Sequence, residues 1–288
     1  MNAVLITGVS SGIGHDATRF LIERGYTVFG SVRSDADRER LRAEFPARFR
    51  PLLFDVTDRE AVLAAVEEVR RALGGANLRA LVNNAGLVAP GPMMLLDDEA
   101  FEESLRVNLM GPRTVTNACL PLLGVPPGAR TQQKLPPRPA KRPGRIINIS
   151  SISGIINTPM NGAYCVSKHA LESLGEVYRR ELHLYGIDVV SIRSGPIESR
   201  IWEKNLGAMD EFAESDYGPM IGVTKSIMLE AQREALPAER ISRLILRVIE
   251  ARRPRLAYLV HRRRWAIVLM SRFTPARILD RLIRRNLS

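Results

Sequence analysis

The first fourteen residues constrain this chain most. An apolar run, Ala3-Val4-Leu5-Ile6-Thr7, passes directly into Gly8-Val9-Ser10-Ser11-Gly12-Ile13-Gly14, and helical spacing follows over about 13–24. A strand that runs through a glycine-rich turn into a helix makes a phosphate-binding arrangement. Glycine lets the backbone approach a pyrophosphate, and the helix N-terminus offers amide donors and the positive end of its dipole. The spacing is G-x-x-x-G-x-G, not G-x-G-x-x-G, and alone it also describes a tight turn. Its place directly after the first strand favours ligand binding, with Gly8, Ser10, Ser11, Gly12, Ile13 and Gly14 around the phosphates.

The rest of the chain repeats the alternation. Strand-like runs at 26–32, 50–54, 79–82, 145–149, 187–192 and 256–260 are separated by helical patterns at 60–73, 97–123, 161–185 and 238–251. That order predicts an α/β fold, a Rossmann-like doubly wound parallel sheet of about seven strands. With 45% hydrophobic residues, the 288-residue chain has enough apolar surface for one large core, and 1–260 is taken as a single domain. Two stretches fit no element. The proline-rich, basic 124–144 is predicted as a flexible exposed loop. The stretch 198–227 shows no clear period; its apolar residues suit either a substrate-binding lid or additional core.

In such sheets the reacting groups gather at strand carboxyl ends. At the second strand's end stands Arg33, where a dinucleotide fold selective for a ribose 2′-hydroxyl would place an acid. An arginine there suits a 2′-phosphate, so NADP (NADPH) is favoured over NAD; a solvated arginine, with Asp35 and Asp37 close behind, is the alternative. Asp55-Val56, after strand three, is placed to meet the adenine or to cap the next helix. Asn83-Asn84-Ala85-Gly86, after strand four, either lets backbone lie against a flat ring or shapes a turn. Asn108 falls inside a helical pattern, where a buried amide must be bonded, as a bridge or as part of a proton relay. After strand five, Ser150, Ser151 and Ser153 compete as donors to a substrate oxygen. Strand six ends in Ser194-Gly195-Pro196-Ile197-Glu198-Ser199.

Tyr164 and Lys168 stand four residues apart in a helical segment, on one face. A phenol has an ordinary pKa of about 10. An ammonium about 4 Å away at an effective dielectric near 20 would favour the phenolate by roughly 4 kcal/mol, about three pKa units. The expectation is a tyrosine able to exchange a proton near neutral pH.

Charge narrows the partners. The net charge is +11, yet 252–288 holds eleven Arg against Asp280 alone, and 124–145 holds six Lys or Arg and no acid. The remainder is net acidic. A nucleic-acid-binding core is therefore not expected, and two specialised basic surfaces are. Two cysteines and no metal-ligand spacing point to a reducing, cytoplasmic compartment and no metal. The first strand begins too near Met1 for a leader, and no apolar run is long enough to span a bilayer.

Thr7-Gly8-x-x-x-Gly12-x-Gly14, Asp55, Asn83-Asn84-Ala85-Gly86, Asn108, Ser151 and Tyr164-x-x-x-Lys168 together resemble the short-chain dehydrogenase/reductase family, in the family's order. Gly162 to Glu172 is most similar to its 17β-hydroxysteroid and retinol dehydrogenase branch and that branch's bacterial relatives. The resemblance implies an oxidoreductase that moves a hydride between nicotinamide and a ketone, aldehyde or secondary alcohol, with an apolar steroid-, retinoid- or lipid-like substrate. It selects Ser151 over Ser150 to hold the substrate oxygen. It implies Tyr164 as acid/base, Lys168 on the nicotinamide ribose, and Asn108 in a relay to solvent. Gly195, Ile197 and Ser199 would face the nicotinamide. Ser194 stands where the family has a proline, and Ser199 where it has a threonine. Homo-oligomers through the long helices are also implied. Non-catalytic nucleotide sensing and membrane-surface binding are the competing classes for the fold.

The tail, 261–288, alternates arginines with apolar residues. Thr274-Pro275 suits a helix start, and Ile278, Leu279, Leu282, Ile283 and Leu287 follow at helical spacing. Such a helix either lies on an anionic membrane or packs on protein with its arginines outward.

Overall fold

The computed structural model describes residues 2–126, 143–198 and 206–287. Its centre is a seven-stranded sheet of order β3-β2-β1-β4-β5-β6-β7. The strands are β1 (Ala3–Ile6), β2 (Thr27–Val32), β3 (Phe49–Leu53), β4 (Ala80–Asn83), β5 (Arg145–Ser151), β6 (Asp188–Ser194) and β7 (Ala257–Val260). Every pairing is parallel. The chain reverses direction across the sheet at β1, which lies between β2 and β4, so a crevice opens beyond the carboxyl ends of those strands.

Both faces of the sheet are covered, which is why β1 reads as an unbroken apolar run. Leu5, Phe29, Leu81, Ile146 and Val189 point to one side. There they meet α3 (Arg59–Leu73), α5 (Gly111–Leu123) and α6 (Gly162–Glu181) through Val66, Val115 and Tyr178. Val4, Ile6, Val28, Val82 and Val190 point to the other. They meet α1 (Gly12–Ile22), α2 (Asp35–Glu44) and α8 (Glu239–Glu250) through Leu21, Leu41 and Ile245. Local signals end the helices where the sequence places them. Asp58 accepts from the Glu60 and Ala61 amides at the start of α3, and Gly74, at φ 55°, closes it.

Three sequence expectations change. The single helix expected over 97–123 is interrupted: α4 (Asp98–Leu105) leads into a π-helical turn, Arg106–Met110, before α5. Pro112 explains the break, because it has no N–H to give the Asn108 carbonyl four residues earlier. The stretch 198–227 is not without regular structure, since α7 (Gly218–Arg233) begins within it. Only Ile221 of that helix is fully buried, so its apolar period was weak. Helix α2 went unread because Leu41 is its one core residue; Ser34 caps it by accepting from the Asp37 amide. The expected loop at 124–144 lies mostly outside the described residues. Its ends are tied together, with the Gly144 amide 2.8 Å from the Leu123 carbonyl. Beyond β7 come α9 (Arg264–Phe273) and α10 (Ala276–Leu287). Among the described residues no helix is long and apolar enough to cross a membrane.

Candidate active site

A cleft of about 620 Å³ opens at the carboxyl ends of the strands, where the alternating fold exposes its turns. Its floor at one end is the turn after β1. Gly8 sits at φ +70°, and a Cβ there would stand 2.9 Å from the Ala85 Cα. A Cβ on Gly14 would stand 2.2 Å from the Gly8 carbonyl oxygen. Side chains lace the two turns together. The Thr7 hydroxyl accepts from the amides of Asn84 at 2.9 Å and Ala85 at 3.0 Å, and Asn84 Nδ2 donates to the Thr7 and Gly8 carbonyls.

The donors there fit a dinucleotide. Ser11, the N-cap of α1, makes no side-chain cap, whereas Ser34, Asp58 and Asp97 cap α2, α3 and α4. Ser10, Ser11, Gly12 and Ile13 line the cleft at that uncapped end. A pyrophosphate is the group such amides and such close-packed glycines accommodate. At the adenosine side, Arg33 is 77% exposed and makes a long contact, 3.8 Å, to Asp55. The acids behind it are engaged elsewhere: Asp35 with Arg38 at 2.7 Å and Asp37 with Arg40 at 2.7 Å. Asp55 Oδ1 accepts from Thr57, and Asp55 and Val56 both line the cleft.

Of the remaining expected residues, Ala85, Gly86, Gly195 and Ile197 also line it. Gly14 and Asn83 do not. Gly14 serves the close contact of α1 with the β1 turn. Asn83 points into the sheet interior, donating to Asn148 Oδ1 at 2.9 Å and Thr116 Oγ1 at 3.1 Å. Its neighbour Asn84 lines the cleft in its place. Ser199 lies outside the described residues.

At the deep end the three expected reacting groups converge. Ser151 ends β5, and its hydroxyl accepts from the Ser153 amide at 3.1 Å. The Tyr164 phenol, which α6 presents from the other side, lines the same end of the cleft and lies near enough for the Ser151 hydroxyl to favour its ionised form. Lys168, one turn on, is buried; its Nζ donates to the Ile149 carbonyl at 3.0 Å and lies 5.4 Å from the Tyr164 ring centroid. Ser150 also lines the cleft, but its buried hydroxyl has no hydrogen-bond partner among the described residues; its backbone carbonyl accepts from the Ser194 hydroxyl at 3.1 Å, which ties β6 to β5.

The titration differs from the sequence expectation. Burial pushes the Tyr164 phenol up to about 12, opposed by the Ser151 hydroxyl. Burial also pulls Lys168 down to about 8, opposed by the Glu172 carboxylate. Desolvation outweighs the ammonium because Lys168 is turned to a carbonyl and is itself less readily charged. From the protein's own groups, Tyr164 is a held acid rather than a phenolate.

Asn108 is fully buried and doubly bonded to the Leu87 backbone, with both contacts at 2.9 Å, and also donates to Ser167 Oγ at 3.0 Å. Its side chain is therefore a bridge. Several contributors escaped the sequence reading. Arg40 reaches back to the Ser10 carbonyl at 2.8 Å and anchors the glycine-rich turn. Met160 lines the cleft at φ 62°, a backbone conformation rare outside glycine, and its carbonyl accepts from Gly91 at 2.9 Å. Thr224, Ile227 and Met228 of α7 and Ile283 of α10 form an outer wall. Only the apolar spacing in the tail hinted at the last of these.

The short chain dehydrogenase family model matches residues 2–209. Over 287 residues the chain is 33% identical to an NADPH-dependent 3-dehydrocapnine reductase of Ornithobacterium rhinotracheale, covering 100% of this chain and 98% of that one. Over 299 residues it is 30% identical to estradiol 17-beta-dehydrogenase 2 of Mus musculus, covering 99% and 74%. A short-chain dehydrogenase from Streptomyces avermitilis, solved by crystallography, shares the fold with a TM-score of 0.74 at 22% identity, over 98% of this chain and 93% of that one.

Proposed function

The chain belongs to the short-chain dehydrogenase/reductase family, an NAD(P)-dependent group of oxidoreductases, and from that premise we propose that it reduces a ketone on an elongated apolar molecule with NADPH. The observation that carries this reading is the convergence of Ser151, Tyr164 and buried Lys168 on one end of an apolar-walled cleft.

Ser151 and Tyr164 direct two hydroxyls at one carbonyl oxygen. Tyr164 keeps its proton across the physiological range, so it acts as an acid. It gives that proton to the oxygen as negative charge builds there. When bound, the nicotinamide supplies the hydride that the carbonyl carbon takes up. Lys168 would hold the nicotinamide ribose, and its ammonium would offset the charge left on the phenolate. Leu87, Val88, Pro90, Met160, Ile227 and Met228 supply the apolar wall, which suits a long hydrocarbon or ring system. Two relatives named for a 3-dehydrocapnine and an estradiol reaction agree with such a substrate.

Cofactor preference rests on Arg33. A charge-assisted contact to a 2′-phosphate is worth about 1.5–3 kcal/mol, so Arg33→Ala raises KM for NADPH roughly 10–100-fold. KM for NADH stays where it is. Steady-state kinetics with both cofactors check this; an equal change in both would remove Arg33 from cofactor choice.

Direction follows from the titrating groups. Reduction needs the Tyr164 proton, present up to about 12, and the Lys168 ammonium, lost above about 8. The kcat/KM for reduction is therefore level below about 8 and falls above it. Oxidation needs a deprotonated Tyr164, so it climbs with pH over the same range. Rate profiles in both directions test the assignment, and reduction that rose with pH would reverse it. An NADPH-oxidation panel of long-chain 3-ketones, ketosteroids, retinal and 3-oxoacyl compounds tests the substrate class; turnover confined to small polar carbonyls would reject it.

A further inference from the structure

The chain beyond β7 does more than wall the cleft. In α9, Ile267 is buried. On the far side of that helix Trp265, Leu269 and Phe273 form one stripe at a spacing of four, and they are 70%, 58% and 73% exposed. Ile278 and Leu282 of α10 are half exposed. Single exposed apolar residues are ordinary, but five large ones on two successive helices are not.

Their surroundings are basic. Arg262, Arg263, Arg264, Arg277, Arg281, Arg284 and Arg285 fall in the same stretch, with Asp280 its one acid. Arg264 lies 5.3 Å from the Trp265 ring centroid, beside the stripe. The arginines of α10 are exposed. Apolar side chains fringed by arginine match an anionic lipid surface, where the apolar face sinks below the headgroups and the guanidinium groups stay among the phosphates. Charge argues against face-to-face pairing of this stretch with its own copy, which would bring like charge to like.

Helix α10 also faces the cleft. Ile283 lines it beside Thr224, Ile227 and Met228, while the preceding residue, Leu282, faces solvent. Ile227 is itself nearly half exposed. One residue of the cleft's outer wall, Ile283, thus belongs to the same pair of successive helices as the exposed apolar residues.

We propose that α9 and α10 dock on an anionic lipid bilayer, bringing the mouth of the cleft to the headgroup level so that an apolar substrate passes from the bilayer between α7 and α10, by Ile227 and Ile283. The route rests on the function proposed above; the docking surface does not.

The test is co-sedimentation of the full chain with vesicles of phosphatidylcholine alone and of phosphatidylcholine containing phosphatidylglycerol. Two variants accompany it, Trp265→Ser/Leu269→Ser/Phe273→Ser and Arg277→Gln/Arg281→Gln, all at exposed positions outside the cleft lining. The native chain binds the anionic vesicles, and salt weakens that binding. Each variant binds roughly tenfold or more weakly, while NADPH oxidation with a short water-soluble ketone is unchanged. No binding by the native chain, or equal binding by native chain and variants, overturns the proposal. A native dimer that the triple variant turns into monomer, without vesicle binding, overturns it too and assigns the stripe to a second copy. Vesicle binding by a chain with no reductase activity supports the surface and rejects only the catalytic reading and the route.

Discussion

Tyr164→Phe lowers the rate of carbonyl reduction by about 10²–10⁴-fold, the range that general acid catalysis by one side chain spans. NADPH binding is nearly unchanged, because the ring remains and the residues around the phosphates are untouched. The change removes one oxygen from a site that Ser151 and Tyr164 both line. What is lost is the proton that neutralises the developing alkoxide, so kcat falls with kcat/KM. Ser151→Ala gives a smaller loss, since Ser151 holds the oxygen without giving up a proton. Cofactor titration by fluorescence beside turnover separates the two effects. A Tyr164→Phe enzyme within tenfold of native would place the acid elsewhere.

The second large effect falls on stability. Arg145→Met destabilises the fold by about 3–5 kcal/mol, the cost of leaving buried partners of a charged group unsatisfied. Arg145 begins β5 and is almost wholly buried. It donates to the carbonyls of Val248, Ile249 and Ala251, at the end of α8, and pairs with Asp188 at 3.0 Å. One guanidinium thus caps the helix and ties it to the sheet. Methionine keeps much of the volume but none of the donors. Urea denaturation reads the change as a lower midpoint with an unaltered slope. A shift below about 0.5 kcal/mol would mean that the carbonyls find other donors.

How much of this was legible depends on what each residue depends on. Strand β1 and the glycine-rich turn were legible because both are local: unbroken apolar residues for a strand covered on two faces, then glycines where backbones nearly touch. Tyr164 and Lys168 were legible because helical spacing sets their relation. Asn83 and Asn84 were not separable by type, since which of two adjacent amides faces the cleft is set by the register of β4 against β5. The π-helical turn was signalled by Pro112, yet a proline inside a helical pattern announces a break without its form. Helix α2 held one core residue, too few for a period. The titration of Tyr164 was misjudged because a separation of about 4 Å assumed from spacing ignores burial, which only the fold supplies. The part of α10 in the cleft wall is a long-range contact, and no local pattern encodes it.

If Ser151, Tyr164 and Lys168 surround a carbonyl that accepts a hydride from NADPH, the hydrogen can be followed into the product. The most direct measurement uses NADPH deuterated at C4 with the ketone panel, followed by mass spectrometry of the products. The native chain yields an alcohol carrying deuterium on the former carbonyl carbon, and Tyr164→Phe yields scarcely any. Tight NADPH binding with no deuterium in any product, or equal labelling by the two proteins, would contradict that arrangement.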